Sequence, residues 1–498
     1  MIEGILIGLE TAFSLKNLMM VMIGCFAGTI IGMLPGLGPM TAIALMIPIT
    51  YGFEPSTGLI LMAGVYYGAV FGGSTSSILI NAPGIPGTVA TSFDGYPMAQ
   101  QGKAGKALAI AAYSSFAGGT IAAIFLLIAA PSLSKVSLAF RSPDYFGLMI
   151  LGLTAVSAFS AKGHFLKAMM MVVLGLMLAS VGQDTLSDIP RFTFQNMNLS
   201  DGISFVLVVM ATFAMSEALT IIFKANDPTR VAKQISLSQL GSIKLDKDET
   251  KKMVATIPRS SVLGFIIGVL PGAGSTIASF LAYGMERNFV NDEEKQKFGK
   301  GSVNGLAAPE TANNAACSGS FVPLLTLGIP GSGTTAVMLG ALLGFGIQPG
   351  PRLYQTNPEI FWSVIMSMYI GMVILLILNL PLIPYIARVL ATPRTFLIPL
   401  ILFFSLTGIY LMSFNNFDIY MMIGIAVVAT VLRLYDFPMP PLILAFVLGG
   451  LMEENLRRSL LISDGSWSFL WDRPLTLIIM LVIVVIVFWQ IHRSYKKL

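Results

Sequence analysis

Two stretches hold the residues with chemistry to offer, and both are short, small-residue runs in a chain that is otherwise apolar. The first, Gly73 to Thr88, reads Gly-Ser-Thr-Ser-Ser-Ile-Leu-Ile-Asn-Ala-Pro-Gly-Ile-Pro-Gly-Thr. The second, Ser318 to Thr335, reads Ser-Gly-Ser-Phe-Val-Pro-Leu-Leu-Thr-Leu-Gly-Ile-Pro-Gly-Ser-Gly-Thr-Thr. Pro removes a backbone donor and breaks a helix, while Gly adopts backbone conformations closed to other residues. A helix restarting after such a break presents free N–H groups and a partial positive charge, an anion site that needs no Lys or Arg. The N–H groups around Asn81, Gly84, Pro86, Gly87 and Thr88, and around Gly328, Pro330, Gly331, Ser332, Thr334 and Thr335, therefore suit a small anion. Oxygens of Ser74, Ser76, Asn81, Asn313, Asn314 and Thr326, with the Glu310 carboxylate, suit a small cation such as Na⁺. An anion and a coupling cation at one site are what cation-coupled uptake requires.

A second motif accompanies the first. Gly32-Met33-Leu34-Pro35-Gly36-Leu37-Gly38 recurs as Gly268-Val269-Leu270-Pro271-Gly272-Ala273-Gly274, an offset of 236 (271 − 35). Gly-Ile-Pro-Gly recurs at an offset of 244 (328 − 84). Similar offsets point to a duplication. Pro35, Gly36 and Gly38, with Pro271, Gly272 and Gly274, join the candidate anion site, and helices are expected to restart at Pro39, Ser275, Thr88 and Thr334.

The elements that position these motifs are membrane helices. The chain has 498 residues, 55% hydrophobic and 11% charged, with a mean hydropathy of +0.79, far from soluble composition. Apolar runs such as Phe205 to Phe223, Phe361 to Pro381 and Leu475 to Trp489 approach the length that crosses a bilayer. Leu18 to Leu34 reads as a retained first span, preceded by an amphipathic helix over Ile2 to Phe13. Freed backbone groups at membrane depth are tolerated only where protein or a watery cavity satisfies them, so each motif should line a cavity. The alternative is that Pro and Gly merely kink helices and let them pack closely.

The net charge of +5 lies in loops, as the positive-inside rule predicts, and no nucleic acid is implied. Cys25 and Cys317 sit in apolar or small-residue segments, and His164 and His492 lack ligand partners nearby, which argues against a disulfide framework or a metal centre. Walker, Gly-x-Ser-x-Gly and His-Glu-x-x-His motifs are absent from the sequence, so neither an ATP-driven device nor an enzyme is expected.

Hydropathy extends the duplication. Lys106 to Leu133 corresponds to Glu359 to Leu390, Phe146 to Ala161 to Phe396 to Met412, Phe165 to Val181 to Ile419 to Leu434, and Ile203 to Ile222 to Pro441 to Leu456. The basic stretch Lys224 to Arg259, with Ile235, Leu237, Leu240, Ile243 and Leu245 at surface-helix spacing, is placed in the cytoplasm. Lys162 to Lys167, Arg388 to Arg394, Arg433 and the tail His492 to Lys497 then also fall inside, and Gln183 to Gly202 and Ser413 to Asn416 outside. Lys135, Arg141, Arg457 and Arg458 run against this assignment. Equivalent loops thus face opposite sides, the plan of an inverted-topology repeat. The expected division is residues 1–225 as first repeat, 226–258 as connector, 259–460 as second repeat and 461–498 as an extra helix with a basic tail. The fold class is all-α and polytopic, with broken helices, re-entrant hairpins and about 11–12 membrane segments. The motif-bearing segments Gly32 to Thr88 and Gly268 to Ala341 are expected to move against the rest as an elevator.

Three acids stand out. Glu310, beside Asn313 and Asn314, is a functional candidate because an intramembrane acid rarely lacks a role. Glu217 reads as a cytoplasmic helix end, and Asp94 as a turn or gate. A passive organic-anion channel or a membrane scaffold remains the competing class.

The chain resembles the TctA family, the large membrane subunit of tripartite tricarboxylate transporters. The likeness lies in Gly32 to Thr41, Tyr67 to Thr88, Asp94-Gly95-Tyr96-Pro97 with Gly102-Lys103-Ala104, Gly268 to Ser275, and Glu310 to Leu343. It implies a secondary transporter for tricarboxylates such as citrate, or for related carboxylates, in a bacterial inner membrane, where the charge assignment above puts the C-terminus in the cytoplasm. It further implies a small TctB-type membrane subunit, a TctC-type periplasmic binding protein and Na⁺ as the coupling ion. Self-association is compatible with it, and the particular carboxylate is not specified.

Overall fold

The computed structural model describes residues 2–34, 37–137, 139–158, 165–184, 189–223, 241–272, 274–386 and 394–495. Pro35 and Gly36 of the first Leu-Pro-Gly motif, Ala273 of the second, His164, the first part of the connector (up to residue 240) and the loop before Arg394 lie outside the described residues.

Helices follow the hydropathy. The first group is α1 (Ile2–Ala12), α2 (Leu15–Met33), α3 (Gly38–Thr50), α4 (Pro55–Ile80), α5 (Val89–Met98) and α6 (Ala104–Ser137). Next come α7 (Ser142–Ala158), α8 (Phe165–Ala179), and α9 (Phe205–Val209) and α10 (Ser216–Phe223), joined through a π-helical turn at Met210–Met215. A two-stranded antiparallel pair, β1 (Gly182–Gln183) and β2 (Pro190–Arg191), decorates the loop before α9.

The remainder begins with α11 (Lys247–Val269), whose capping box at Asp246 and Glu249 starts the helix inside the stretch expected to be connector. It continues with α12 (Gly274–Phe289), α13 (Asp292–Lys295), α14 (Val303–Gly319), α15 (Phe321–Leu327), α16 (Gly333–Gly344), α17 (Leu353–Thr356) and α18 (Pro358–Asn379). The last elements are α19 (Ile383–Ile386), α20 (Arg394–Ser413), α21 (Asn416–Leu434), α22 (Pro440–Ile462) and α23 (Pro474–Tyr495). Among the described residues seven continuous helical stretches are long and apolar enough to cross a membrane, two of them (Pro86–Ser134 and Phe205–Phe223) running through several of these elements, and shorter apolar helices accompany them.

Two helix pairs form the centre. Gly24, Gly28 and Gly32 of α2 lie on the carbonyls of Leu61, Val65 and Ala69 of α4, so closely that a Cβ at Gly32 would stand 2.2 Å from the Ala69 oxygen. In return Gly64, Gly68 and Gly72 of α4 lie on Val21, Cys25 and Thr29. Small residues at every fourth position let the backbones meet, the main packing device of membrane helices. The pair α11 and α14 repeats it: Gly264 meets the Ala312 carbonyl, Gly268 that of Ala316, and Gly319 that of Phe265. In both pairs the first helix is related by 236 residues and the second by 247 (312 − 65, 316 − 69, 319 − 72). α4 is buried along its candidate span, and α14 is buried from Asn304 to Gly319. Outer helices such as α8, α20, α21 and α23 expose Leu, Val and Phe.

Candidate functional site

Both polar stretches break the chain in the same way. α4 ends at Asn81 and α15 at Gly328, each in the left-handed region, with φ of 50° and 69°. Chain direction then reverses through Pro83-Gly84 and Pro330-Gly331. A Cβ at Gly84 would stand 1.9 Å from the Gly32 carbonyl oxygen and 2.7 Å from the Gly73 Cα; at Gly331 it would meet the Gly268 oxygen at 2.9 Å and the Ser320 Cα at 2.8 Å. The Thr88 hydroxyl donates to the Ile85 carbonyl and the Thr335 hydroxyl to that of Ser332, each at 3.0 Å. All these pairs are 247 residues apart (328 − 81, 331 − 84, 335 − 88). The shared tetrapeptide, at 244, is therefore three residues out of structural register: Ala82-Pro83-Gly84 matches Ile329-Pro330-Gly331, and Gly87 matches Thr334.

Helix restarts differ from expectation. α3 and α12 begin at Gly38 and Gly274, both with positive φ. After the first break a 3₁₀ turn, Pro86–Thr88, precedes α5. After the second, Ser332 rather than Thr334 caps α16, in a reciprocal box with Thr335. The N–H groups of Gly333 and Thr334 in the first turn of α16, and of Gly84, Ile85 and Gly331 just ahead of the two restarts, donate to no described residue.

Each break abuts the other half. A Cβ at Gly87 would meet Asn313 Oδ1 at 2.7 Å and Ser275 Oγ at 3.0 Å, and one at Gly333 would meet Met40 Sδ at 3.0 Å. Asn313 is fully buried, with neither amide atom hydrogen-bonded, and Asn314 Oδ1 is also unpaired. Tyr67 of α4 stacks on both Tyr66 and Phe321, and the Tyr66 hydroxyl stands 3.4 Å from Ser332 Oγ.

The proposed cation ligands are not all brought together. Glu310 Oε2 accepts from Ser74 Oγ at 2.7 Å and Ser115 Oγ at 2.8 Å, and Oε1 accepts from the Thr91 hydroxyl. Ser76 bonds instead to the Gly73 carbonyl, Thr326 to that of Val322, and Asn81 is exposed at its helix end. Thr91 and Ser115 were missed because they come from α5 and α6, helices with no motif around those residues. Pro271, Gly272 and Gly274 lie beside the second break, where Gly272 N–H donates to the Gly331 carbonyl at 3.1 Å.

Asp94 lies in a helix and not in a turn. It is fully buried in α5, and its Oδ1 accepts from the N–H groups of Gly299, Gly301 and Ser302 at 2.7–2.9 Å, at the start of α14. Oδ2 accepts from the Tyr283 hydroxyl at 3.0 Å. A carboxylate at a helix N-terminus is well placed electrostatically, and here it fastens the first break to the second half. Glu217 pairs with Arg433 of α21.

A family model matches residues 18–444, that of the tripartite tricarboxylate transporter TctA family. The chain belongs to that family. Among curated proteins, this TctA-family chain is 42% identical over 475 residues to an "Uncharacterized 52.8 kDa protein in TAR-I ttuC' 3'region" of Agrobacterium vitis, covering 95% of this chain and 93% of the relative. An "Uncharacterized protein in TAR-II ttuC' 3'region" of the same organism is 43% identical over 212 residues, covering 43% of this chain and 87% of the relative. No solved structure matches. Family membership and the apolar helices together make this a multi-pass membrane protein of a tricarboxylate transporter family.

Proposed function

We propose that the chain is the transporting subunit of a cation-coupled importer for tricarboxylates or related organic acids in a bacterial inner membrane. A TctC-type binding protein would deliver the substrate and a TctB-type subunit would complete the complex. The observation that carries this is the recurrence of one break at a constant spacing of 247 residues, with unpaired N–H groups after each. Substrate carboxylates bind those groups at Gly84, Ile85, Gly331, Gly333 and Thr334, with Asn313 between them. Na⁺ takes the unpaired oxygens of Asn313 and Asn314. The two halves are an inverted repeat, residues 1–225 and 259–460, and the breaks tip re-entrant hairpins.

Motion is elevator-like. Its moving group comprises the segments from Gly32 to Thr88 and Gly268 to Ala341, enlarged by α5 and the start of α6, because Thr91, Asp94 and Ser115 bond into α14 and the loop before it. Cysteine pairs linking this group to outer helices such as α20 and α21 should stop transport; continued transport with several links in place sinks the elevator.

The decisive test is uptake of labelled di- and tricarboxylates into vesicles bearing the complex, with the binding protein present, with and without an inward Na⁺ gradient. Saturable uptake that accumulates against a gradient is expected. Uptake that never exceeds equilibration refutes coupled transport and leaves a channel.

A further inference from the structure

Among the described residues four acids are fully buried: Asp94, Asp144, Glu286 and Glu310. Each of the first three has at least one partner that can only donate, beside a hydroxyl from Tyr283, Thr476 or Thr256 respectively. Asp94 takes three backbone N–H bonds, Asp144 takes Arg473 at 2.9 Å and the Arg141 N–H at 2.9 Å, and Glu286 takes Arg259 at 2.7 Å. Such partners fit the carboxylate and conflict with the acid, since an N–H group cannot accept a proton. Glu310 is different. Its side-chain partners are the hydroxyls of Ser74, Thr91 and Ser115, and a hydroxyl both donates and accepts. The charged form receives three bonds; the protonated form can return one of them.

Ser74 supplies the switch in hydrogen bonding. Its Oγ lies 2.7 Å from Glu310 Oε2 and also 3.3 Å from the Val70 carbonyl oxygen. When the carboxyl carries a proton, the Ser74 hydroxyl turns its own hydrogen to Val70 and accepts from Glu310. No backbone movement is needed. A crevice lined by Phe71, Ser74, Thr75, Ser115 and Asn379 reaches these same hydroxyls, and Asn379 Oδ1 on its wall has no partner.

The spacing argues against a metal ion between these oxygens. Oxygens sharing a hard cation at about 2.3–2.6 Å stand roughly 3.3–3.7 Å apart when adjacent in its shell, whereas the Ser74 and Ser115 contacts are hydrogen bonds of 2.7 and 2.8 Å. Nor is there a second site of this kind. At the spacing of 247 residues, Glu310 corresponds to Ala63, Ser74 to Phe321 and Thr91 to Met338, an apolar set. Other titratable groups on the elements packed against α14 are engaged elsewhere or make no bond to Glu310. Arg259 of α11 holds Glu286 of α12, Tyr283 of α12 holds Asp94 of α5, Lys106 of α6 holds Glu249 of α11, and Tyr66 of α4 faces Ser332.

We infer that Glu310 is a proton-carrying site, taking one proton per chain through the crevice beside Ser74 and Ser115 and releasing it when the moving group reaches the other side. The inference rests on the transport reading for its purpose, and sharpens it: one of the ions moved with the substrate is a proton, and Na⁺ is left to the Asn313 and Asn314 oxygens.

The experiment is an infrared pH titration of the full-length chain reconstituted in lipid, following the C=O stretching band of protonated carboxyls, on wild type, Glu310→Gln and Thr91→Val. One titrating band that is absent from Glu310→Gln is expected. In Thr91→Val the carboxylate loses a donor, so the midpoint of that band rises by about one pH unit. A spectrum unchanged by Glu310→Gln, or a midpoint unmoved by Thr91→Val, overturns the assignment. So does loss of the band on adding NaCl at constant pH, since Na⁺ would then occupy the site. In parallel, the vesicle complex carrying Glu310→Gln should still exchange internal for external labelled carboxylate while losing at least tenfold in accumulation driven by an inward proton gradient. Wild-type vesicles that exchange carboxylate but ignore the proton gradient defeat only the proton site; wild-type vesicles that do not exchange it defeat the transport reading.

Discussion

The structural register of the two breaks is testable by three alanine substitutions, Gly84→Ala, Gly331→Ala and Gly87→Ala. At Gly84 the new methyl lands 1.9 Å from the Gly32 carbonyl oxygen and 2.7 Å from the Gly73 Cα, backbone atoms that can yield only if α2 and α4 separate. Overpacking of this kind costs about 1–3 kcal/mol, and a clash with two backbones belongs at about 3 kcal/mol. At Gly331 the contacts are 2.8 and 2.9 Å, also with backbone, and about 1–2 kcal/mol is expected. At Gly87 the methyl meets the ends of the Asn313 and Ser275 side chains, at 2.7 and 3.0 Å. Those can rotate, so stability should fall by less than about 1 kcal/mol while uptake suffers, because Asn313 is displaced. The assay is thermal unfolding of the purified chain in lipid or detergent, read by labelling of Cys25 and Cys317, both buried, together with carboxylate uptake. The expected order of destabilisation is Gly84→Ala, then Gly331→Ala, then Gly87→Ala. If Gly87→Ala were as damaging to stability as Gly84→Ala, the tetrapeptide register of 244 would be the better description and the reasoning here would fail.

Replacing Asp94 by Asn removes the charge that three N–H groups converge on, and should lower stability by about 2–3 kcal/mol in the same melt, with Tyr283→Phe costing about 1 kcal/mol. Glu217→Gln leaves Arg433, only 20% exposed, without its anion; a loss of about 2–3 kcal/mol is expected, and Glu217→Gln combined with Arg433→Met should recover part of it in a double-mutant cycle. Arg473→Met strands Asp144 against Thr476, and should loosen α23 from α7, seen as faster hydrogen exchange in both. In α13, burial pushes Glu294 up, but hydrogen bonds from Lys252 and Lys297 outweigh it and hold the carboxyl below its usual range. Its contribution is thus present above the unfolded carboxylate range near pH 4.3 and lost as pH falls through the lower folded value. Exchange in residues 291–302 should rise on acidification below about pH 4 and stay flat in Glu294→Gln.

Much of the architecture could be read from residues alone, because a bilayer imposes length and apolarity on each helix before any tertiary contact forms. The apolar helical stretches beginning at Leu15, Phe165, Phe205, Asn416 and Pro474 fall within a few residues of the apolar runs. The offset of 236 was equally visible, since Gly32 and Gly268 sit in a motif whose neighbours match. The turn expected at Asp94 is a helix, and its buried setting was not legible because its partners, Gly299, Gly301 and Ser302, lie about 200 residues away and contribute only backbone N–H groups. The start of α11 at Lys247, inside the expected connector, was not legible from hydropathy, because an Asp246 and Glu249 capping box starts the helix in charged sequence before its apolar part begins.

What the sequence by itself determined is a multi-pass membrane protein in which two kinds of Pro/Gly motif each occur twice: helix breaking and hydropathy are local properties. Tertiary structure alone decided which residues of the two breaks are equivalent. Identity favoured Gly-Ile-Pro-Gly, but the equivalence follows the left-handed residues Asn81 and Gly328 and the glycines that rest on the Gly32 and Gly268 carbonyls, and such contacts depend on where a helix ends rather than on what it spells. The same holds for Glu310. Its burial was foreseeable from the apolar residues around it, but the three hydroxyls that make it reversible come from α4, α5 and α6, and only packing brings them to one carboxyl.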